Sequence, residues 1–98
     1  MDIRIDPENS ETNALSEYAS LFKGKRVLEV GCGDGRVTLL YAPFAAYVHA
    51  IEPDPEDIAE AVERFPQELR ERVHFEAVSI EKFTKKTRFD AVLMSWSL

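Results

Sequence analysis

VLEVGCGDGR, residues 27–36, carries the clearest structural signal in this 98-residue chain. An apolar run leads through Glu29 into a loop with glycine at Gly31, Gly33 and Gly35. A residue without Cβ adopts positive φ easily and lets a ligand approach the main chain closely. The stretch therefore predicts a buried strand, a glycine loop that seats a cofactor, and a helix that follows the loop. A sharp turn without any ligand is the alternative interpretation of the same pattern.

The composition indicates one small globular domain. Apolar residues make up 45% of the chain and charged residues 31%, which is typical of a soluble protein with a packed core. The sequence contains no apolar run of the roughly 18 residues that a membrane span needs, and its N-terminus does not resemble a secretory signal. The net charge of −6 weakens the case for a nucleic acid partner, because polyanion binding normally relies on a basic patch. The single cysteine, Cys32, has no disulfide partner, so we expect a cytoplasmic location.

Outside this stretch, the apolar pattern alternates between strand and helix periodicity. Residues 1–24 are predicted to form an N-terminal helical segment that precedes a main domain at 25–98. Helices are also predicted at 36–42, directly after the glycine loop, and from Asp54 to about Pro66. The predicted strands lie at residues 27–30, 47–51, 73–78 and 89–95, with a turn or short helix before the last one.

This alternation predicts an α/β fold with one parallel sheet. Near-continuous apolar strands are typical of a parallel sheet that helices cover on both faces. Right-handed crossovers make a Rossmann-like arrangement the simplest solution, with ligands at the carboxyl ends of the strands. Glu52 ends the second predicted strand and comes 21 positions after Gly31. That offset is close to the roughly 20 residues expected for an acid that binds ribose hydroxyls.

The charges around the loop favour a cationic ligand over a pyrophosphate. The glycines are spaced G-x-G-x-G, whereas dinucleotide-binding loops use G-x-G-x-x-G. Glu29 and Asp34 also place negative charge where a pyrophosphate would settle. S-adenosylmethionine combines an ammonium and a sulfonium with a ribose diol and adenine. We expect Glu29 to attract the ammonium directly or through water, while the loop amides bind the carboxylate.

Four segments resemble, in order, the motifs of class I S-adenosylmethionine-dependent methyltransferases. They are VLEVGCGDGR at 27–36, AIEPDPE at 50–56, RVHFEAVSIEKF at 72–83 and FDAVLMSWSL at 89–98. The resemblance implies that the loop residues contact the methionine and ribose portions of the cofactor, with Glu52 on the ribose hydroxyls and Pro53 against adenine. The loop residues concerned are Glu29, Gly31, Cys32, Gly33 and Gly35.

The later motifs imply three further contacts. Ser79 and Ile80 align with the family's adenine-binding positions, although the family usually has an aspartate where this chain has Ser79. Ser95 ends the fourth predicted strand, where the family's backbone borders the methyl-donor pocket. Trp96 is expected either to pack in the core or to line a substrate cavity.

The resemblance also implies a sheet order of 3-2-1-4, counting the four predicted strands along the chain. Family members continue through further strands, so we expect an incomplete sheet in which residues 91–94 form an apolar edge. Such an edge would pair with another segment, be covered, or self-associate. His49, His74 and Cys32 do not have the spacing of metal ligands, and no metal site is predicted.

The function that follows is the cofactor-binding portion of a methyltransferase. The methyl acceptor would be a small molecule or a protein, and the sequence identifies no catalytic base. Whether the 98 residues are active as an enzyme stays open. One alternative is a truncated, non-catalytic module that binds S-adenosylmethionine or a protein partner. A second is a fragment of a nucleotide-binding oxidoreductase.

Overall fold

The computed structural model describes residues 2–5, 17, 19–84 and 88–95 of the chain. The strands are β1 (Asp2–Ile5), β2 (Arg26–Val30), β3 (Tyr47–Glu52), β4 (Val73–Ala77) and β5 (Ala91–Ser95). The helices are α1 (Arg36–Tyr41) and α2 (Pro55–Arg64), and a 3-10 turn covers Gln67–Leu69. Residues 19–22 are also helical. Within these described ranges, no helix combines the length and apolar character needed to cross a membrane.

All five described strands lie parallel in one sheet with the order β1-β5-β2-β3-β4. The four strands expected from the sequence therefore lie in the order 3-2-1-4, as predicted. Each step from β2 to β3 and from β3 to β4 passes through a helix, which is the connection that parallel neighbours require. The predicted Rossmann-like α/β fold is confirmed.

The strand β1 bears on two predictions. It pairs with β5 in a register that runs from Asp2 opposite Val92 to Ile5 opposite Ser95. The assignment of residues 1–24 to a helical segment is therefore wrong for 2–5, which join the same sheet as the main domain. Residues 91–94 are not a sheet edge for the same reason; of the three outcomes expected for them, pairing with another segment is the one observed. Residues 6–16 and 18 of the predicted helical segment, and Trp96, lie outside the described residues.

Residues next to each helix start determine where α1 and α2 begin. α1 begins after Gly35, whose φ of 86° is left-handed and whose carbonyl accepts the amide of Leu39 at 3.0 Å. α2 begins after Asp54, whose side chain accepts the amide of Glu56 at 2.9 Å, and Pro55 occupies the first helical position. The aspartate cap satisfies one free amide of the helix start, and proline at the first position removes another because it carries no N–H.

The core lies between the sheet and these helices. The rings of Phe22 and Tyr41 stack with centroids 4.5 Å apart, and those of Phe65 and Phe75 lie 5.0 Å apart. The core also contains smaller side chains with almost no exposure: Val27, Val48, Ala50, Ala61 and Leu93. This packing holds the carboxyl ends of β2, β3 and β5 in fixed positions.

Gly31, directly after β2, lies close to the backbone at the end of β5. It follows β2 with a φ of +79°, and a Cβ at this position would lie 2.7 Å from the carbonyl oxygen of Ser95. A backbone oxygen cannot move aside as a flexible side chain can. The loop after β2 can therefore pass the end of β5 only if residue 31 is a glycine.

We predict that Gly31→Ala destabilises the chain much more than Gly24→Ala. Gly24 has a similar φ of +70° but nothing within 4 Å of an added Cβ, so it is a matched control. Left-handed strain costs about 1–2 kcal/mol at either site. Overpacking against Ser95 adds about 1–3 kcal/mol at Gly31 alone. Urea unfolding of both variants measures the difference, and equal losses would contradict the close approach.

Candidate functional site

The carboxyl edge of the sheet gathers the loop after β2 and the ends of its neighbours. The amides of Gly31 and Cys32 donate to the carbonyl of Ile51, at 2.9 and 3.1 Å, which joins the loop to β3. The amide of Val78 donates to the carbonyl of Glu52 at 3.0 Å, which joins the segment after β4 to the same point. These backbone bonds bring the sequence-predicted positions on β2, β3 and β4 to one edge.

The carboxylate of Glu52 contacts the glycine loop directly. Its Oε1 accepts the amide of Gly33 at 3.1 Å, and its Oε2 accepts the amide of Asp54 at 3.1 Å. A carboxylate offers about four acceptor positions, so two amides leave about two for a ligand. The side chain is partly exposed, which keeps these positions within reach of solvent. The predicted proximity of Glu52 to the loop is confirmed.

Glu29 is fully buried and lies in a cage of three hydroxyls. Thr38 Oγ1 and Tyr41 Oη each donate to its Oε1 at 2.6 Å, and Ser95 Oγ donates to its Oε2 at 2.5 Å. Ser95 Oγ also lies 3.1 Å from the carbonyl oxygen of Gly31. One carboxylate thus connects β2, α1 and β5 immediately below the loop.

The expected contact between Glu29 and the ammonium of the cofactor, directly or through water, stays a prediction. In this structure the exposure of Glu29 is 0%, and hydroxyls of the chain itself donate to its carboxylate. Burial raises the pKa of the Glu29 carboxyl above its ordinary value of 4.5, and the three hydroxyl hydrogen bonds only partly offset that effect. Burial also raises the pKa of Tyr41, with a further contribution from Glu29, so the phenol stays protonated and remains a donor.

The loop amides are also engaged within the chain. In addition to the two that donate to Ile51, the amide of Gly33 donates to Glu52 and that of Gly35 donates to the Cys32 carbonyl at 3.0 Å. The expected contact between these four amides and a ligand carboxylate therefore needs the loop to exchange one of these bonds. The hydrogen bond of the Gly33 amide is the easiest to exchange, because its acceptor is the Glu52 side chain whereas the other three acceptors are backbone carbonyls.

The two side chains of the loop, those of Cys32 and Asp34, do not offer a reactive thiolate or an unpaired carboxylate. Cys32 is buried, and desolvation, then the charges of Glu29 and Glu52, raise the pKa of its thiol above the ordinary value. A protonated thiol is neither a nucleophile nor a metal ligand. Asp34 forms ion pairs with Arg36 at 3.2 Å and Arg64 at 3.5 Å, which offset the negative charge expected there.

The expected adenine positions lie around Glu52. Pro53 follows it directly and is exposed. After β4, Ser79 is half-buried and Ile80 is 47% exposed, an unusual exposure for a large apolar side chain. The carbonyls of both residues accept amides from residues 82 and 83, which closes a turn. An exposed apolar side chain in a fixed turn is suited to contact a flat ligand surface.

Sequence reasoning missed Thr38 and Tyr41. Both lie on α1, three positions apart, which places their hydroxyls on one face of the helix. They follow Glu29 by 9 and 12 positions. The sequence contained a signal for this contact. A helix that otherwise packs apolar residues carries two hydroxyls at helical spacing, and buried hydroxyls need a polar partner.

The structure also brings together His49 and His74, which the sequence analysis did not expect to share a site. The register of β3 and β4 places His49 opposite His74. The argument that these residues lack ligand spacing is wrong, because spacing along a chain does not measure distance across a parallel sheet. Glu76, two positions after His74, lies at the same place.

The chain is similar to known methyltransferases over most of its length. The family described as "Methyltransferase domain" matches residues 27–98. The mitochondrial ubiquinone biosynthesis O-methyltransferase of Bos taurus is 36% identical over 88 residues, which cover 86% of this chain and 24% of that protein.

Two solved structures have the same fold. Protein arginine methyltransferase 10 of Arabidopsis thaliana superposes with a TM-score of 0.72 at 27% identity, covering 86% of this chain and 24% of that one. A dimethyladenosine transferase of Plasmodium falciparum superposes with a TM-score of 0.65 at 27% identity, covering 86% and 31%. The chain therefore spans less than a third of the length of each of these proteins.

We predict that Glu29→Gln gains stability relative to the wild type as pH rises. The native carboxyl has a raised pKa, so above pH 4.5 the unfolded chain binds fewer protons than the native chain. Wild-type stability then falls with rising pH until the native carboxyl also ionises, and the glutamine variant lacks this loss. Urea unfolding across this pH range measures the difference. Glu63→Gln, on the exposed side of α2, is the control.

A stability difference that stays constant with pH, or that shrinks as pH rises, would contradict a raised pKa for Glu29.

Proposed function

The chain belongs to the class I S-adenosylmethionine-dependent methyltransferases, and we propose that it forms the cofactor-binding portion of such an enzyme. The observation that carries the proposal is the hydrogen bond between the Gly33 amide and the Glu52 carboxylate. It joins the glycine loop to the acid that ends β3, and these are the two features with which Rossmann-like folds bind an adenosine cofactor.

The ribose is proposed to bind Glu52. Two amides orient the carboxylate and leave acceptor positions on both oxygens, which suit the two adjacent hydroxyls of a ribose. Hydrogen bonds to a charged acceptor contribute about 1.5–3 kcal/mol each in a dry site. Because Glu29 is buried, Glu52 is the acid of the two that a ligand can reach.

The adenine is proposed to lie between Pro53 and Ile80. Both side chains are exposed, and both are next to Glu52, one along the chain and one through the Val78 amide. Apolar side chains on either side of a flat ring bury area that water would otherwise cover. Ser79 supplies a hydroxyl beside them for the ring edge.

The methionine portion is proposed to lie over residues 31–35. Gly31, Gly33 and Gly35 all have positive φ, a conformation that other residues rarely adopt, and glycine at these positions lets the loop backbone lie close to a ligand. Ser95 ends β5 beside Gly31 and borders the same space. When bound, the sulfonium supplies an electrophilic methyl carbon, and the task of the protein is to align an acceptor with it.

The methyl acceptor is proposed to be a small molecule or a protein. By name, the similar proteins differ in what they act on: a ubiquinone biosynthesis O-methyltransferase, a protein arginine methyltransferase and a dimethyladenosine transferase. Their common region supports a role in holding the cofactor and not in selecting the acceptor. The net charge of −6 favours acceptors other than nucleic acid. A cytoplasmic location belongs to the same proposal.

A non-catalytic cofactor-binding module is the second candidate. The chain spans 24% of the bovine relative, and no catalytic residue is assigned in it. Both candidates bind the cofactor and differ only in turnover. The family match leaves the oxidoreductase alternative without support.

We predict that the chain binds S-adenosylmethionine and S-adenosylhomocysteine in preference to NAD, as measured by isothermal titration calorimetry. Glu52→Gln should weaken binding by at least about tenfold, since about 1.4 kcal/mol of charge-assisted hydrogen bonding is lost. Glu63→Gln, which changes the same charge on the exposed side of α2, should bind as the wild type does. Preference for NAD, or equal affinity in both variants, would contradict the proposal.

A further inference from the structure

A second cluster of ligand-type side chains lies on the face of the sheet opposite α2. Phe75 of β4 packs its ring against Phe65, directly after α2, so its side chain points towards the helix face. Side chains alternate along a strand, and His74 and Glu76 therefore point to the opposite face. The register places His49 of β3 beside them.

The three side chains are close enough to share one ion. His49 Nε2 lies 2.8 Å from Glu76 Oε1, and the imidazole rings of His49 and His74 have centroids 4.8 Å apart. The ligand atoms of all three residues lie within 4.8 Å of one another. All three residues lie on strands: the register of β3 and β4 places His49 beside His74, and Glu76 lies two positions after His74 on the same face of β4.

The cluster has one fixed member and two adjustable members. The His49 side chain is 3% exposed, and its ring packs against Phe83 at 5.1 Å and Phe89 at 6.3 Å between centroids. The Glu76 side chain is 43% exposed, and His74 is exposed. A buried imidazole can therefore set the position of an ion, while the two exposed groups rotate to complete its shell.

We propose that His49, His74 and Glu76 bind a divalent transition metal ion of the zinc class. Two imidazoles and a carboxylate form a ligand set that zinc uses, whereas calcium and magnesium prefer oxygen ligands alone. The residues proposed to bind the cofactor take no part in this site, so the proposal stands independently of the proposed function.

The distances fit this chemistry with a small adjustment. Zinc bonds of about 2.1 Å hold two ligand atoms no more than about 4.2 Å apart, and about 3.4 Å apart in a tetrahedron. The His49 and Glu76 atoms at 2.8 Å are within that limit. The ligand atoms of the cluster lie up to 4.8 Å apart, and rotation of the exposed His74 side chain brings its ring nitrogen within the limit. Three protein ligands leave a fourth position open for water or a partner's ligand.

Zinc titration of the whole chain, first stripped with a chelator, tests the site. Competition against a chromophoric chelator should give one zinc ion per chain. His74→Ala and Glu76→Gln should each weaken binding by at least about tenfold, since loss of even an outer-shell partner costs 10–100-fold. Glu81→Gln, an exposed acid beyond β4, is the matched control and should bind as the wild type does.

Cobalt in place of zinc gives a second measurement. The proposal predicts visible absorption bands of a nitrogen and oxygen site without the thiolate band that binding at Cys32 would add. Circular dichroism of His74→Ala, a surface substitution, checks that the variant is folded. Absence of saturable binding, a thiolate band, or wild-type affinity in His74→Ala and Glu76→Gln would each overturn the proposal.

Discussion

The buried carboxylate of Glu29 is the constraint on which the candidate site depends. A carboxyl group without solvent exposure is costly, and the hydroxyls of Thr38, Tyr41 and Ser95 compensate by donating to it. These three donors come from α1 and β5, so the carboxyl group ties the paired strands β2 and β5 to the helix that follows the loop. The glycine loop leaves β2 two residues later, and Ser95 reaches back to the Gly31 carbonyl. The shape of the loop follows from this network.

The two acids of the site have different tasks because their surroundings differ. Glu29 is isolated from water, and burial raises the pKa of its carboxyl, so it acts as a structural hydrogen-bonding centre. Glu52 is partly exposed and oriented by the amides of Gly33 and Asp54, which is why we propose it as the acid that contacts the ligand. The motif places both acids near the loop, and the difference in burial separates their proposed roles.

Local patterns predicted most of the fold, and contacts distant in sequence account for what was missed. The strand order and the start of α2 at Asp54 follow from periodicity and capping, which short segments encode. The strand β1 was missed because four residues gain strand structure only from a partner about 90 positions away. The contact between His49 and His74 was missed because strand register determines it. The burial of Glu29 was missed because its motif does not reveal that hydroxyls from α1 and β5 enclose it.

The central claim is that the Glu52 carboxylate, held by two amides, is the contact point for an adenosine cofactor. Two-dimensional amide NMR of the isotope-labelled chain during titration with S-adenosylhomocysteine tests this most directly. The account predicts that the largest shifts occur at the amides of Gly33 and Asp54, with smaller ones at Ser79 and Ile80, while amides of β1 stay unchanged. Shifts confined to other parts of the chain, or saturable binding that leaves the Gly33 and Asp54 amides unchanged, would contradict it.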